Sequence, residues 1–404
     1  MSEDRASALP LDGVRVLDLS RILAGPWCGM VLGDLGADVI KVEHPVTGDD
    51  TRDWGLRTGA SNTAYFDSVN RNKRSIGVDL ATPDGLAIVQ ALARDSDVVI
   101  QNFKAGGAEK LGLGYAQLSA DNPGLIYCSI SGYAPDGPEA ARPGYDLVVQ
   151  GESGLMALNG EASQPPLKFG VAAVDLFTGQ YAAQAVLAAL FARERTGKGR
   201  RVDLALFDCG AALTSYYGLE ALAQDKDPPR YGNAHPSIVP YGVFQAADGP
   251  LVITVGNNAQ YQRFCTQVIG RPDLAADARF ATNLLRSRHR ADLIPLIDAE
   301  LARRSRADLL AGLRAAGIPC GEVLGLHEAL TSERATTAGV VAGWREQADG
   351  PSHVLAPPYR LDGARAPVRR MPPGLGSASA EILAERLGYG PDQQADLVAK
   401  GIVR

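Results

Sequence analysis

No run in this 404-residue chain approaches the roughly 18 consecutive apolar residues that a helix needs to cross a bilayer, so a membrane span is not expected. The first residues, "MSEDRASALPLDG", carry acidic side chains where a secretory leader would carry an apolar run. Neither a signal peptide nor a membrane anchor is expected there. Cysteine is scarce: Cys28, Cys128, Cys209, Cys265 and Cys320 stand far apart without a paired spacing. That disfavours a disulfide framework and a zinc site of the usual kind, so no metal is expected. A reducing cytoplasm is the simplest compartment. Positive charge is in deficit, with 40 basic against 46 acidic residues and a net charge of −6. Nucleic acid and anionic membrane are therefore not expected as main partners, since both favour a basic surface. Several catalytic signatures are also missing. The chain has no G-x-G-x-x-G after its first strand, no G-x-x-x-x-G-K-[ST], no H-E-x-x-H and no G-x-S-x-G. A nicotinamide enzyme, a P-loop enzyme, a zincin and a serine hydrolase each lose their expected motif.

What is present is ample apolar material: 46% of residues are hydrophobic and 21% charged, which at this length favours two domains over one core. "VRVLDLS" (14–20), "ADVIKVE" (37–43), "SIGVDL" (75–80), "DVVIQNF" (97–103) and "LIYCSISGY" (125–133) read as strands buried on both faces. Helical patterns such as "TPDGLAIVQALARDS", with Pro83 at its start, alternate with them, and "RVDLALFD" (201–208) adds another strand. This alternation predicts an α/β fold with a Rossmann-like parallel sheet and crossover helices over 1–219. Near residue 220 the pattern changes to the Pro- and Gly-rich "KDPPRYGNAHPSIVPYGVF", followed by a hairpin signal at Asp248-Gly249. Residues 220–330 read as a smaller α+β domain. Residues 331–404, rich in proline, read as an extended segment returning to the large domain or to another chain.

With those motifs absent, a carboxylate is the nucleophile of interest, and Asp175 in "FGVAAVDLFTGQYAAQAVLAAL" opens an alanine-rich helix. Aspartate is a preferred N-cap, and capping is its plainest role. Thr178 is not the Glu or Gln that would complete a capping box. The same position has a chemical consequence: the positive end of the helix dipole favours the ionised carboxylate, and such a group can attack covalently.

The segments "LDGVRVLDLSRILAGPWCGMVLGDLGADVIKVEHPVTGDDTR", "NRNKRSIGVDL", "NFKAGGAEKLGLGY", "YCSISGY", "GYDLVVQGESGLM", "VDLFTGQYAAQAVLAAL", "RTGKGRRVDLALFD" and "YGNAHPSIVPY", in that order, resemble the class III coenzyme A transferases. That family includes formyl-CoA and carnitine-CoA transferases. "NRNKRS", "AHPSIVPY" and "GNNAQY" are most similar to its succinate-hydroxymethylglutarate (glutarate) branch. The resemblance implies that Asp175 attacks an acyl-CoA thioester to give a mixed anhydride, and that the CoA thiolate returns to form an aspartyl-CoA thioester. The acceptor carboxylate then runs the sequence in reverse. Coenzyme A is thus a substrate, with no permanently bound cofactor. The resemblance also implies an interlocked homodimer with the site where large and small domains meet.

By the same resemblance Ile22, Leu23, His44, Asn102, Phe103, Lys110 and Tyr145 are expected to contact CoA, with Arg21 beside them. Arg71, Lys73 and Arg74 form a basic cluster suited to phosphates or carboxylates. Arg74 is assigned to CoA. Arg71, His235 and Ser237 are assigned to the distal carboxylate of a short dicarboxylic acid, which a closed site must pair. Gly256, Asn257 and Asn258 align with a glycine-rich loop that covers the site in relatives, the two asparagines making it less free here. Two other readings remain. An α-methylacyl-CoA racemase needs a histidine base, and the "GYD" element has Tyr145 in that place. A non-catalytic CoA-binding protein would keep the phosphate contacts without needing Asp175.

Overall fold

The β-branched runs become six parallel strands: β1 (Arg15–Asp18), β2 (Asp38–Glu43), β3 (Lys73–Gly77), β4 (Val98–Gln101), β5 (Ile126–Ser131) and β6 (Arg200–Ala205). The computed structural model describes residues 9–343 and 353–404. The sheet order is β3-β2-β1-β4-β5-β6, so the chain winds outward one way from β1 and then restarts at β4. Strands in the middle of such a sheet are covered on both faces, and the continuous apolar run Val98-Val99-Ile100 is buried throughout. One strand begins earlier than the apolar pattern indicates. β3 starts at Lys73 instead of Ser75, which carries Lys73 and Arg74 into the sheet.

Seven helices matter for the site and its support: α1 (Ala24–Asp34), α2 (Pro83–Arg94), α3 (Asp146–Glu152), α4 (Ala173–Thr196), α5 (Leu206–Leu213), α6 (Ser379–Leu387) and α7 (Pro391–Ala399). α2 starts as its sequence requires, with Pro83 in the first turn and the Thr82 hydroxyl accepting the Gly85 N–H at 3.1 Å. α1 and α4 share one core with β1, β4 and β5, built on Cys28, Leu32, Val98, Ile126, Ala182 and Val186. α2, α6 and α7 cover the other face around Leu17, Ile40, Ile88, Leu92, Ile382 and Leu397. The late segment is therefore only partly extended. It contributes α6 and α7 and then bonds along the β3 edge, where the Arg404 N–H donates to the Gly77 carbonyl at 3.1 Å and Val403 bridges Val78.

The chain divides into two units, 1–155 with 168–219 and 333–404, and 156–167 with 220–332. The smaller unit takes a short stretch, 156–167, from inside the range expected for the large domain. Its sheet is antiparallel, β7 (Tyr241–Ala246), β8 (Gly249–Thr254) and β9 (Cys320–Glu322) in that order. Its core is separate, on Phe244, Leu251, Ile253, Phe264, Leu293 and Ile297.

The approach of α4 to α1 depends on a glycine. A Cβ on Gly179 would lie 2.5 Å from the Ala24 carbonyl oxygen and 2.8 Å from the Trp27 Cβ. Gly179→Ala is expected to destabilise the protein by about 1–3 kcal/mol, as overpacking of a tight contact does. Gly170→Ala, where nothing lies within 4 Å of the new atom, should leave the thermal unfolding midpoint unchanged. Equal midpoints for the two variants would remove this contact as a constraint.

Candidate active site

In an open parallel sheet the ligand crevice lies beyond the carboxyl ends of the strands, where the winding direction reverses. Here that point is between β1 and β4. A cleft of about 630 Å³ is lined there by Ile22 and Leu23 after β1, Asn102 and Phe103 after β4, Tyr145 at the start of α3, and Asp175. Arg21 and Arg142 supply positive charge to it. An adjoining recess of about 370 Å³ has His44 on its lining and shares Arg21, Asp50 and Phe103 with the cleft.

Asp175 is not the N-cap of its helix. α4 begins at Ala173, Ala172 occupies the cap position without a side-chain bond, and Asp175 is the third residue of the first turn. The free amides are taken by a different carboxylate. Asp146 Oδ1 accepts the N–H of Val174 at 2.8 Å and that of Asp175 at 3.3 Å, while its Oδ2 accepts the Gln150 amide at 2.6 Å. This also corrects the expected charge state. Burial pushes the Asp175 carboxyl up to about 7, and the neighbouring Asp146 carboxylate pushes the same way. Asp146 directly follows Tyr145 in "GYD" and is the neighbour of Asp175 that sequence reasoning missed. Its signal was an acidic residue one place into a short helix, with nothing local to say which helix it would cap.

The loop that presents Tyr145 is fixed by a crossing of two glycine backbones. A Cβ on Gly132 would stand 2.6 Å from the Gly144 nitrogen, and one on Gly144 would stand 2.5 Å from the Gly132 Cα. Beside it, Arg142 pairs with Glu139 at 2.7 Å and with Glu152, and lies over the Tyr133 ring at 4.7 Å.

The remaining expected residues divide sharply. His44 is exposed, and its Nδ1 accepts the N–H groups of Val46 and Thr47, each at 3.2 Å. Those bonds leave Nε2 as the ring nitrogen that can reach a ligand. Lys110 is exposed at the end of the short helix Gly107–Lys110 and is not among the residues lining the cleft, whereas Gly107 and Leu111 are. Arg71 is not available to a substrate. It is 5% exposed and grips Asp34 through two bonds, one of them at 3.0 Å from Nε. Arg74 is likewise engaged, bonded to Asp38 and, at 2.8 Å each, to Glu381 and Glu385 of α6. Lys73 is buried against Asp18 at 2.8 Å. The basic cluster of "NRNKRS" is thus an internal set of ion pairs, and the assignments of Arg71 to substrate and Arg74 to CoA give way to that geometry.

His235, Ser237, Gly256, Asn257 and Asn258 belong to the smaller unit. His235 Nδ1 accepts the N–H groups of Ser237 and Ile238 at 3.1 Å, so it shapes its own loop. Asn283 joins two of the others, donating from Nδ2 to the Ser237 carbonyl at 2.6 Å and from its backbone to Asn258 Oδ1 at 3.0 Å. Asn257 caps the helix Asn258–Arg263 through the Gln260 N–H at 2.9 Å, and the Gly256 N–H donates to the Gln260 side chain at 2.8 Å. Both asparagines therefore have structural work within the smaller unit.

The sequence description of CoA-transferase family III matches residues 11–379. The chain is 42% identical over 386 residues, 93% of its length and 95% of the other, to a succinate–glutarate CoA-transferase of Agrobacterium fabrum. It is 39% identical over 400 residues, 99% of its length and 92% of the other, to a succinyl-CoA:glutarate CoA-transferase of Mus musculus. Among solved structures, a CaiB/BaiF family protein from Brucella suis superposes with a TM-score of 0.84 at 43% identity, covering 94% of this chain and all of that one. A Mycobacterium tuberculosis protein superposes at 0.82 with 34% identity, covering 93% and 99%.

The raised carboxyl has a consequence for stability. A group that holds its proton up to about 7 when folded, against 3.8 in the free side chain, binds more protons in the native state between those values. Stability contributed by the protonated form is therefore lost as pH rises through that window. Asp175→Asn, which stays neutral, is expected to raise the thermal midpoint by a few °C at pH 8 and by less at pH 5. A variant no more stable than the parent at pH 8 would show that the carboxylate sits there without penalty.

Proposed function

Because the chain belongs to CoA-transferase family III, we propose that it moves CoA from succinyl-CoA to a short dicarboxylic acid such as glutarate, with Asp175 as the nucleophile. The observation that carries the reading is the position of Asp175 in the crevice at the β1/β4 reversal, beside Ile22, Leu23, Asn102, Phe103 and Tyr145. One Asp175 oxygen adds to the thioester carbonyl, and the C–S bond breaks to release CoA thiolate and leave a mixed anhydride. The thiolate then attacks the aspartyl carbonyl, which frees succinate and gives an aspartyl-CoA thioester. The acceptor carboxylate attacks that thioester, releasing the thiolate and forming a second anhydride. Attack of the thiolate on the acceptor's carbonyl gives the new CoA ester and restores Asp175. Each carbonyl attack develops an oxyanion, and N–H donors held in place stabilise it. α1 starts at the cleft without a side-chain cap, so its first amides are candidates for that role. Coenzyme A is substrate here, arriving and leaving as a thioester.

The names of the two relatives, both glutarate CoA-transferases, support the dicarboxylate assignment. With Arg71 enclosed, the pairing of a distal carboxylate falls to cations that do line the cleft, Arg21, Lys104 and Arg142. The described cysteines are all free thiols, which fits a reducing, cytoplasmic setting. No described helix is long and apolar enough to cross a membrane.

Asp175→Ala is expected to bind CoA with unchanged affinity and to lose transfer by at least about 10⁴-fold, since the covalent route is gone. Hydroxylamine added with succinyl-CoA should modify Asp175 alone, by peptide mass. Because the attacking form is the anion, kcat/KM for succinyl-CoA should fall about tenfold per pH unit below 7. Transfer persisting in Asp175→Ala would end the proposal, and acetate or butyrate accepting CoA as fast as glutarate would end its dicarboxylate part.

The interlocked homodimer implied by the family's sequence features is proposed as well. Large apolar side chains left exposed on the single chain support it, Phe191 at 61%, Leu219 at 70% and Leu222 at 82%. Threaded chains cannot part without opening, so sedimentation at nanomolar concentration should show dimer alone. A native monomer under those conditions would contradict it.

A further inference from the structure

The turn from β1 into α1 is held in an unfavourable conformation by side chains from other elements, of which only Asn102 lines the cleft. Ile22 has φ +74°, the left-handed region that a β-branched residue avoids. Successive backbone groups across the turn meet partners from other elements. The Ser20 carbonyl accepts from Lys41 Nζ at 2.9 Å. The Arg21 N–H donates to Asn102 Oδ1 at 3.0 Å, and the Arg21 carbonyl accepts from Asn102 Nδ2 at 2.8 Å. The Ile22 N–H donates to both oxygens of Asp49, at 3.3 Å each. Asp49 and Lys41 are paired at 2.9 Å with neither side chain exposed at all. Thr51 completes the carboxylate, giving its N–H at 3.0 Å and its hydroxyl at 2.8 Å to Oδ1.

The two residues after Ile22 are Leu23 and Ala24, which line the cleft with Asp175. Ala24 also lies against Gly179, one turn along α4 from Asp175. A left-handed Ile22 therefore sets the start of α1 against the turn that carries the nucleophile. Backbone strain of this kind persists where the surroundings over-determine it, and it clusters at functional sites.

We infer that Asp49, supported by Lys41 and Thr51, is a positioning residue for CoA transfer, holding Ile22 left-handed so that the start of α1 is fixed beside Asp175. Asn102 acts in the same clamp: both polar atoms of its side chain are on Arg21, which leaves its expected contact with CoA to its neighbour Phe103. The inference rests on the transfer reaction proposed above. A displacement of about 1 Å at such a site can cost on the order of 100-fold in rate, whereas binding of the cofactor handle, spread over many contacts, changes little.

The test uses two variants of the full chain. Asp49→Asn keeps an acceptor for Ile22 but leaves Lys41 without its charge partner. Thr51→Val removes one hydrogen bond to Asp49 and leaves the ion pair intact. For each, kcat with succinyl-CoA and glutarate, the Kd for CoA by calorimetry and the thermal midpoint are measured. The expected result is a kcat reduced about 10–100-fold in Asp49→Asn and about 3–10-fold in Thr51→Val, with the Kd for CoA within about threefold of the parent. Ile22→Asn added to Asp49→Asn should recover part of the lost kcat, because asparagine tolerates the left-handed region. Loss of thermal stability with kcat unchanged at 20 °C overturns the inference, as does a failure of Ile22→Asn to recover any rate. Should Asp49→Asn not fold, Thr51→Val decides by the same split between kcat and Kd. A parent enzyme that transfers CoA to no acid overturns the functional reading; a normal parent beside Thr51→Val of equal kcat overturns this one.

Discussion

The large unit is organised by charge placed where water cannot reach. Across β1, β2 and β3, Asp18 at the end of β1 meets Lys73 at the start of β3, Lys41 meets Asp49, and Glu43 at the end of β2 meets Arg52 at 2.7 Å, all in side chains no more than 3% exposed. Against burial, which favours the neutral acid, Lys41 holds the Asp49 carboxyl below its ordinary value. Such pairs contribute little net stability, yet removing one member costs about 3–5 kcal/mol because the other is left charged and dry. What they supply is definition. Loops beyond a parallel sheet are ordinarily its loosest parts, and here the two that follow β1 and β2 are fastened at their roots by buried bonds.

That arrangement explains what the sequence disclosed and what it hid. The sheet was legible, since β-branched runs such as "DVVIQNF" bounded by helical patterns have few other outcomes. The cleft was legible once its family features were noticed, because the contacts follow strand ends. The basic cluster was not. Arg71, Lys73 and Arg74 carry no local sign that their partners are Asp34, Asp18 and Asp38, which lie 37, 55 and 36 positions away. Lone charges are normally solvated, so a run of three was read as a ligand site, and only the tertiary fold shows it to be structural.

Asp175 and Asp146 display the same limit at closer range. An aspartate ahead of an alanine-rich helix looks like its cap. The amides of that helix start are instead claimed by a carboxylate 28 residues upstream, and Asp175 stands over them without their help. Burial first, and the nearby Asp146 carboxylate second, decided the charge state, and neither is written in any one segment. In the smaller unit the asparagines of "GNNAQ" are a milder case: Asn258 accepts from Asn283 and from Arg286 at 3.1 Å, bonds between places that sequence distance separates.

The ion pairs between β3 and α6 also bear on how the protein comes to be made. Arg74 and Glu385 are 311 positions apart, with the whole main segment of the smaller unit between them. A ribosome adding about 5–20 residues each second therefore leaves the β3 edge without α6 for roughly 15–60 s after Arg74 has been made. During that interval the smaller unit, which has a core of its own, can fold first. The first-made strands are then among the last to be finished, and their open edge is the surface of the nascent chain with most to gain from a chaperone.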